Sequence, residues 1–368
     1  MNEYTQTRTV VGVMTGTSLD GLDAALLEIT GTGLNQHVRF VKGLSRSLGS
    51  VAEGLRELAE QIPMSSGDIA SLSRKFSLLH VEAIRELCAS LKPNLICVHG
   101  QTVFHAPPIS WQLMNPAPIV AAMNTPVVFD LRSADLANGG QGAPLTPLAD
   151  YILYRGLETR TVVNLGGFCN LTRLPVTPEM SGSHADVLRR IEGGDVCACN
   201  QLLDRAAREL IHKLFDPDGH HASKGRILEV AFDALFATLD AQRRKRVSLG
   251  TGDELGGWIQ RHRSQGRAED LLRTLCAGIA EVIARSCVPV ERVILAGGGV
   301  KNLTLLDELK SRIRAKVELS DVHGIPAEFR EAAGFAVLGA LCQDRVPITL
   351  PQVTGVKVPP VSGCWMFP

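Results

Sequence analysis

The sequence predicts an α/β protein built from two repeated halves with a cleft between them. Three observations carry this. The chain has 368 residues, 45% of them apolar and 35 of them glycine, which exceeds one small core and suits two domains rich in tight turns. A strand, a polar glycine loop and a second apolar stretch occur twice, in TVVGVMTGTSLDGLDAALLEIT and in TVVNLGGFCNLTRLP. Finally, VILAGGGVKNLTLLDELK reads as a strand, three glycines and a helix. The repetition is in pattern, not in letters, and suggests an internal duplication. It places a domain boundary near residue 150, giving units 1–150 and 151–368.

The elements follow in order. Val10–Val13 and Ala24–Ile29 read as strands of a hairpin. Helical periodicity covers Val51–Ile62 and Ile69–Leu91, where Leu72, Phe76, Leu79, Ala83 and Leu87 recur at three or four residues. Pro93 ends it. Leu95–Val98 is a short buried strand leading into HGQT, and Pro126–Phe129 another leading into DLRSADLANGGQGAPL. In the second half, DVCACN (Asp195–Asn200) precedes a helix through Leu202, Leu203, Ala206, Leu210 and Leu214. FDPDGHHASKG (Phe215–Gly225) is a loop whose adjacent histidines lack partner spacing for a metal site. An amphipathic helix spans about 268–287, Ala332–Leu341 is an apolar helix, and Pro351–Pro368 shows no periodicity.

Composition narrows the function classes. Lys plus Arg equal Asp plus Glu at 38 each, which leaves no basic face for a nucleic-acid partner. The cluster RRKR, Arg243–Arg246, reads as a solvated helix end. The start, MNEYTQTRT, is polar and without an apolar signal core, and no stretch approaches the roughly 18–20 apolar residues of a membrane span. Nine cysteines are scattered, with no disulfide framework and no zinc spacing around Cys197 and Cys199. A cytoplasmic protein is expected, without membrane or nucleic-acid partners.

Glycine-rich loops after strands let backbone N–H groups approach an anion. Three occur, at 14–21, 164–170 and 297–299. None carries the Gly-Lys-Ser/Thr of a Walker loop, and the hairpin setting of the first two argues against a dinucleotide fold. Together they point to a nucleotide held between two halves, the arrangement of actin-like ATPases and sugar kinases.

The stretches MTGTSLDGLD, HGQT, FDLRSADLANGGQGAPL, NLGGF, AGGGVKN and GIPAEFREAAGFAVLGA, in this order, resemble the anhydro-N-acetylmuramic acid kinase family from Val11 to about Thr354. The resemblance implies a two-domain actin-like fold and use of ATP and Mg²⁺. It further implies opening of a 1,6-anhydro sugar ring with water adding at C1 and phosphorylation of O6, and a homodimer. Gly16, Thr17, Ser18, Leu19, Asp20, Gly21 and Asp23 would form the first phosphate loop, with Asp20 and Asp23 ordering it or holding Mg²⁺ through water; an Asx turn is the plainer role for both. Asn164, Gly166 and Gly167 would close over the phosphates with Asn200 behind them, and Gly297, Gly298, Gly299 and Asn302 would line the adenosine side. The metal's ligands are not read from the sequence.

Water attacking an anomeric carbon needs a carboxylate base within hydrogen-bond reach. Asp195, after Gly193-Gly194 and in the family's catalytic aspartate position, is the candidate; a helix N-cap is the alternative. Sugar-side candidates are His99, Gln101, Asp130, Arg132, Asp135, Gln141, Gly142 and Glu331. Arg132 could grip a sugar carboxylate or pair with Asp130 or Asp135; His99 could be a packing histidine, and Glu331 could cap or salt-bridge the last helix. Two departures stand out. Val196-Cys197-Ala198-Cys199 replaces the family's Gly-Pro-Gly, and SLGTGDELGG (Ser248–Gly257) replaces Ser-Thr-Gly-Arg-Glu. The rival readings are a kinase for another anhydro sugar such as levoglucosan, and a nucleotide-binding protein without activity.

Overall fold

The structure, a computed structural model, describes residues 7–16, 19, 21–177, 184–245 and 255–368. The expectations placed on Thr17, Ser18, Asp20, Arg246 and residues 248–254 lie outside the described residues. In chain order the strands are β1 (Thr7–Thr15), β2 (Leu22–Thr30), β3 (His37–Arg46), β4 (Leu95–Val98), β5 (Gln101–Ala106), β6 (Ile109–Leu113) and β7 (Val127–Phe129). The second half contributes β8 (Arg160–Leu165), β9 (Phe168–Leu174), β10 (Glu192–Ala198), β11 (Arg292–Ala296), β12 (Lys316–Leu319) and β13 (Cys364–Met366).

Both large sheets share one topology. The first runs β13-β7-β4-β1-β2-β3 and the second β10-β9-β8-β11-β12. In each, an antiparallel three-strand meander is extended by two parallel strands beside its first member. The duplication expected from the two glycine hairpins is therefore a duplication of the sheet, as an actin-like fold requires. The parallel strands deliver Gly16, HGQT, DLRS, NLGGF and AGGG at their carboxyl ends, where α/β sheets place ligands.

Three apolar layers hold the halves. The helices Ala52–Ala59 and Ser66–Cys88 cover the outer face of the first sheet. Asn200–Ile211, Glu229–Lys245, Ala268–Ser286 and Leu303–Arg312 cover that of the second. Between the sheets lies a shared layer made by the helices Thr146–Tyr154 and Arg330–Gln343. The latter is apolar all round because it is buried all round. It packs on β1, β2 and β4, and Gly12 lets it come close: a Cβ there would stand 2.0 Å from the Ala332 carbonyl oxygen. Asp344 just past this helix takes Arg8 on both oxygens, at 2.7 and 2.9 Å. The tail read as aperiodic returns to the first sheet, where β13 pairs with β7.

The polar clusters are also local. Arg243 and Arg244 bond to Asp240 at the end of their helix. All nine cysteines are free, eight of them buried. No helix among the described residues is long and apolar enough to cross a membrane.

Two carboxylates make the fold sensitive to acid. Asp270 accepts from the Arg226 and Arg267 backbone amides at 2.9 and 3.1 Å, which with the Arg267 side chain holds its pKa near about 2. Lys316 and Arg292 hold Glu318 at about 2 as well. A folded-state pKa below the unfolded value gives stability that is complete above pH ~4.5 and lost as pH falls towards 2. Denaturant midpoints measured across that window should fall with acid, and Asp270→Asn should flatten the slope.

Candidate active site

The first glycine loop is tied to the HGQT segment, and the second and third lie against each other. In the first, Gly16 accepts from Leu19 N–H at 3.2 Å and from Gln101 Nε2 at 3.3 Å. Thr15, ending β1, donates its hydroxyl to the Gly100 carbonyl at 2.9 Å. In the second, the Gly166 and Gly167 carbonyls accept from the N–H groups of Cys199, Asn200 and Gln201, so this loop caps the Asn200–Ile211 helix. Asn200 Nδ2 returns a bond to Leu165 O at 2.9 Å. The third loop lies against the second: Gly297 has φ 88°, and a Cβ on it would meet Asn164 Oδ1 at 2.6 Å. Asn164 is 2% exposed and its Oδ1 has no protein partner among the described residues. Gly298 and Gly299 begin the 3₁₀ turn that follows.

Asp195 sits inside β10, a strand that the sequence reading missed. It pairs with Asn170, and a bulge separates it from Cys197. Bulges re-aim side chains beside active sites; here Val196, Cys197, Ala198 and Cys199 are all buried, while Asp195 stays half-buried. Val196, Cys197, Ala198 and Cys199 thus fill the second half's core. Burial pushes the Cys197 thiol up to about 12, which removes it from nucleophilic chemistry. Asp195 is not the helix N-cap; Cys199 is.

Arg132, in the first half, lies within electrostatic reach of Asp195 in the second. Glu331, Asp195 and Asp130 act on its charge, in that order of strength, while burial brings its pKa to about 10. Its Nη1 donates to Gly142 O at 2.9 Å, and Nε and Nη2 both point at His99 Nε2, at 3.3 and 3.0 Å. Among the described residues it forms no ion pair, so neither pairing with Asp130 nor with Asp135 occurs. Glu331 opens the central helix. Burial raises its pKa, and Arg330, the Asn164 side chain and Arg132 pull it down. Asp23 lies on β2, where Ser45 of β3 donates to it at 2.5 Å. Burial raises its pKa too, with Glu331 and Glu328 adding to the rise against the Ser45 bond.

Other candidates belong to the scaffold. Asp135 is fully buried, accepting from Gly142 N–H at 2.7 Å and from the Thr354 hydroxyl at 2.9 Å; it shapes the GGQG loop and cannot also reach a sugar. Asn302 caps the Leu303–Arg312 helix through Leu305 N–H at 3.0 Å. Asp130, at φ 48°, accepts from Ser133 N–H at 3.1 Å. Gln141 is exposed, with its backbone on Thr354 O at 2.8 Å. His99 is buried, with both ring nitrogens engaged, so it is not a sugar ligand. Gln101 is buried with an unpartnered Oε1 among the described residues. Sequence reasoning passed over His105, on the same strand, whose pKa is lowered by burial and by Arg132. It also passed over Ser45. Neither His105 nor Ser45 falls within a motif read from the sequence.

The chain matches the family description "Anhydro-N-acetylmuramic acid kinase" over residues 8–368. It belongs to the anhydro-N-acetylmuramic acid kinase family. Relatives carrying that name include one from Synechococcus sp. (strain CC9605), 33% identical and aligned over 97% of this chain and 99% of its own. Another, from Bacillus thuringiensis subsp. konkukian, is 29% identical over 98% and 99%. Among solved structures, a ROK family glucokinase from Streptomyces griseus in complex with glucose and AMPPNP is 15% identical. It covers 90% of this chain and 99% of its own, with a TM-score of 0.42. Component A of (R)-2-hydroxyglutaryl-CoA dehydratase from Acidaminococcus fermentans is 12% identical over 90% and 98%, with a TM-score of 0.45.

Proposed function

We propose that this chain uses ATP to open the 1,6-anhydro ring of 1,6-anhydro-N-acetylmuramic acid, giving N-acetylmuramic acid 6-phosphate for cell-wall recycling in the cytoplasm. One observation carries the reading: among the described residues Arg132 is held by His99 and Gly142 without a salt bridge, within electrostatic reach of Glu331 and Asp195. Three of its five N–H groups are held by His99 and Gly142. The two left, one on each terminal nitrogen, are free to donate to a carboxylate, such as the lactyl group of this sugar.

The residues then divide the work. Asp195 takes a proton from the water whose oxygen bonds to C1 as the C1–O6 bond breaks. The freed O6 becomes the phosphoryl acceptor, held in line by the loops at 14–21 and 164–170. When bound, ATP supplies the phosphoryl group and Mg²⁺ neutralises its phosphates. The donor set fits the metal, since Mg²⁺ takes one or two carboxylates beside phosphate oxygens. Asp23, whose pKa Glu331 helps to raise, and Glu331 itself are the pair a cation would relieve. Closure of units 1–150 and 151–368 over the sugar would exclude bulk water. A homodimer remains part of this reading through the family alone.

Initial rates on the acidic anhydro sugar and on levoglucosan test the substrate. Arg132→Ala should lose about 100-fold in kcat/KM on the acidic sugar and little on the neutral one. Equal losses on both, or a parent enzyme that prefers levoglucosan, would reject it.

A further inference from the structure

Arg132 cannot accept a hydrogen bond, and it keeps its proton in proteins. The lone pair between Arg132 and His99 is therefore on His99 Nε2, which makes Nδ1 the protonated nitrogen. That nitrogen lies 2.8 Å from the Gly100 carbonyl, which also takes the Thr15 hydroxyl at 2.9 Å. A continuous chain thus runs from the first phosphate loop through Gly100 and His99 to Arg132. The ring itself rests on Phe335, with centroids 4.8 Å apart. Burial, and then Arg132, bring the pKa of His99 to about 3, so the ring is neutral at any working pH.

The choice of residue matters. An aspartate or glutamate in this place would orient the guanidinium but cancel its charge. A neutral imidazole orients it without adding a fourth carboxylate to Glu331, Asp195 and Asp130, which already act on its charge. We propose that His99 is a positioning residue, whose neutral Nε2 aims Arg132 so that the free edge of the fork meets a carboxylate of the sugar. The inference rests on the reading of Arg132 given above.

The test uses the full chain and binding without turnover. Calorimetry with 1,6-anhydro-N-acetylmuramic acid should show His99→Phe, which keeps a ring against Phe335, weakening binding about 10–100-fold, the loss of one hydrogen bond to a charged group. ATP binding should be unchanged. His99→Gln, which returns an acceptor oxygen, should bind close to the parent. In an Arg132→Ala background, His99→Phe should cost nothing further. Parent-like binding by His99→Phe, or an undiminished further loss in that background, would overturn the proposal. If the parent binds no acidic sugar, the substrate reading fails, and the imidazole ¹⁵N spectrum decides the geometry. A neutral ring protonated at Nδ1, with an Nε2 resonance that shifts in Arg132→Ala, upholds the positioning role; protonation at Nε2 ends it.

Discussion

Asp195→Asn lowers kcat by about 10²–10⁴-fold, the usual worth of a general base, while ATP and the sugar bind as they do to the parent. The expectation follows from its place. The side chain stands half-buried ahead of a bulge, at the edge where β10 meets the glycine loop after β8. The amide keeps the volume and the bulge but takes no proton from water. Single-turnover rates and calorimetry separate the two effects. A variant with full turnover would remove Asp195 from the chemistry and direct attention to Glu331.

The second large effect is on stability. Arg330 and Asp150, each 1% exposed, form a two-pronged ion pair between the two central helices. Thr172 of β9 donates to the same carboxylate at 2.6 Å. Burial works against the Arg330 charge, but Asp150 outweighs it and raises the pKa overall. Arg330→Met leaves Asp150 buried without its cation, which costs about 3–5 kcal/mol, whereas removing both charges in an apolar double variant costs much less. Denaturant unfolding of the single and double variants measures the difference. A single variant within about 1 kcal/mol of the parent would contradict the assignment. Arg330 precedes Glu331, so the folded single variant should also show a lower pH limb of activity altered with respect to the parent.

The local signals were legible where residues speak for their own element. Alternating apolar runs around glycine loops gave both hairpins, and β11 with its three glycines and helix stood where VILAGGGVKN placed them. β10 was hidden because Glu192–Ala198 opens with two glycines and then buries three residues in succession across a bulge. β13 was hidden because three residues of a proline-rich tail become a strand only by pairing with β7. Nothing local says that the alanine-rich helix Arg330–Gln343 covers the first sheet; the information lies in Gly12, whose missing side chain makes the room.

The site divides in the same way. Residue type and motif picked out Asp195, Arg132 and Glu331, and the fold brings Arg132 within electrostatic reach of the other two. Type alone could not separate ligands from scaffold. Asp135, Asn302 and His99 carry ligand-like groups, yet each is committed to a protein partner far away in the fold or at a helix start. That distinction depends on which lone pairs and N–H groups are already engaged.

The most direct test of the central claim is mass spectrometry of the sugar product after incubation with ATP, Mg²⁺ and 1,6-anhydro-N-acetylmuramic acid. The account predicts a product heavier than the substrate by one phosphate group and one water. A product heavier by phosphate alone, or an unchanged sugar beside intact ATP, would contradict it.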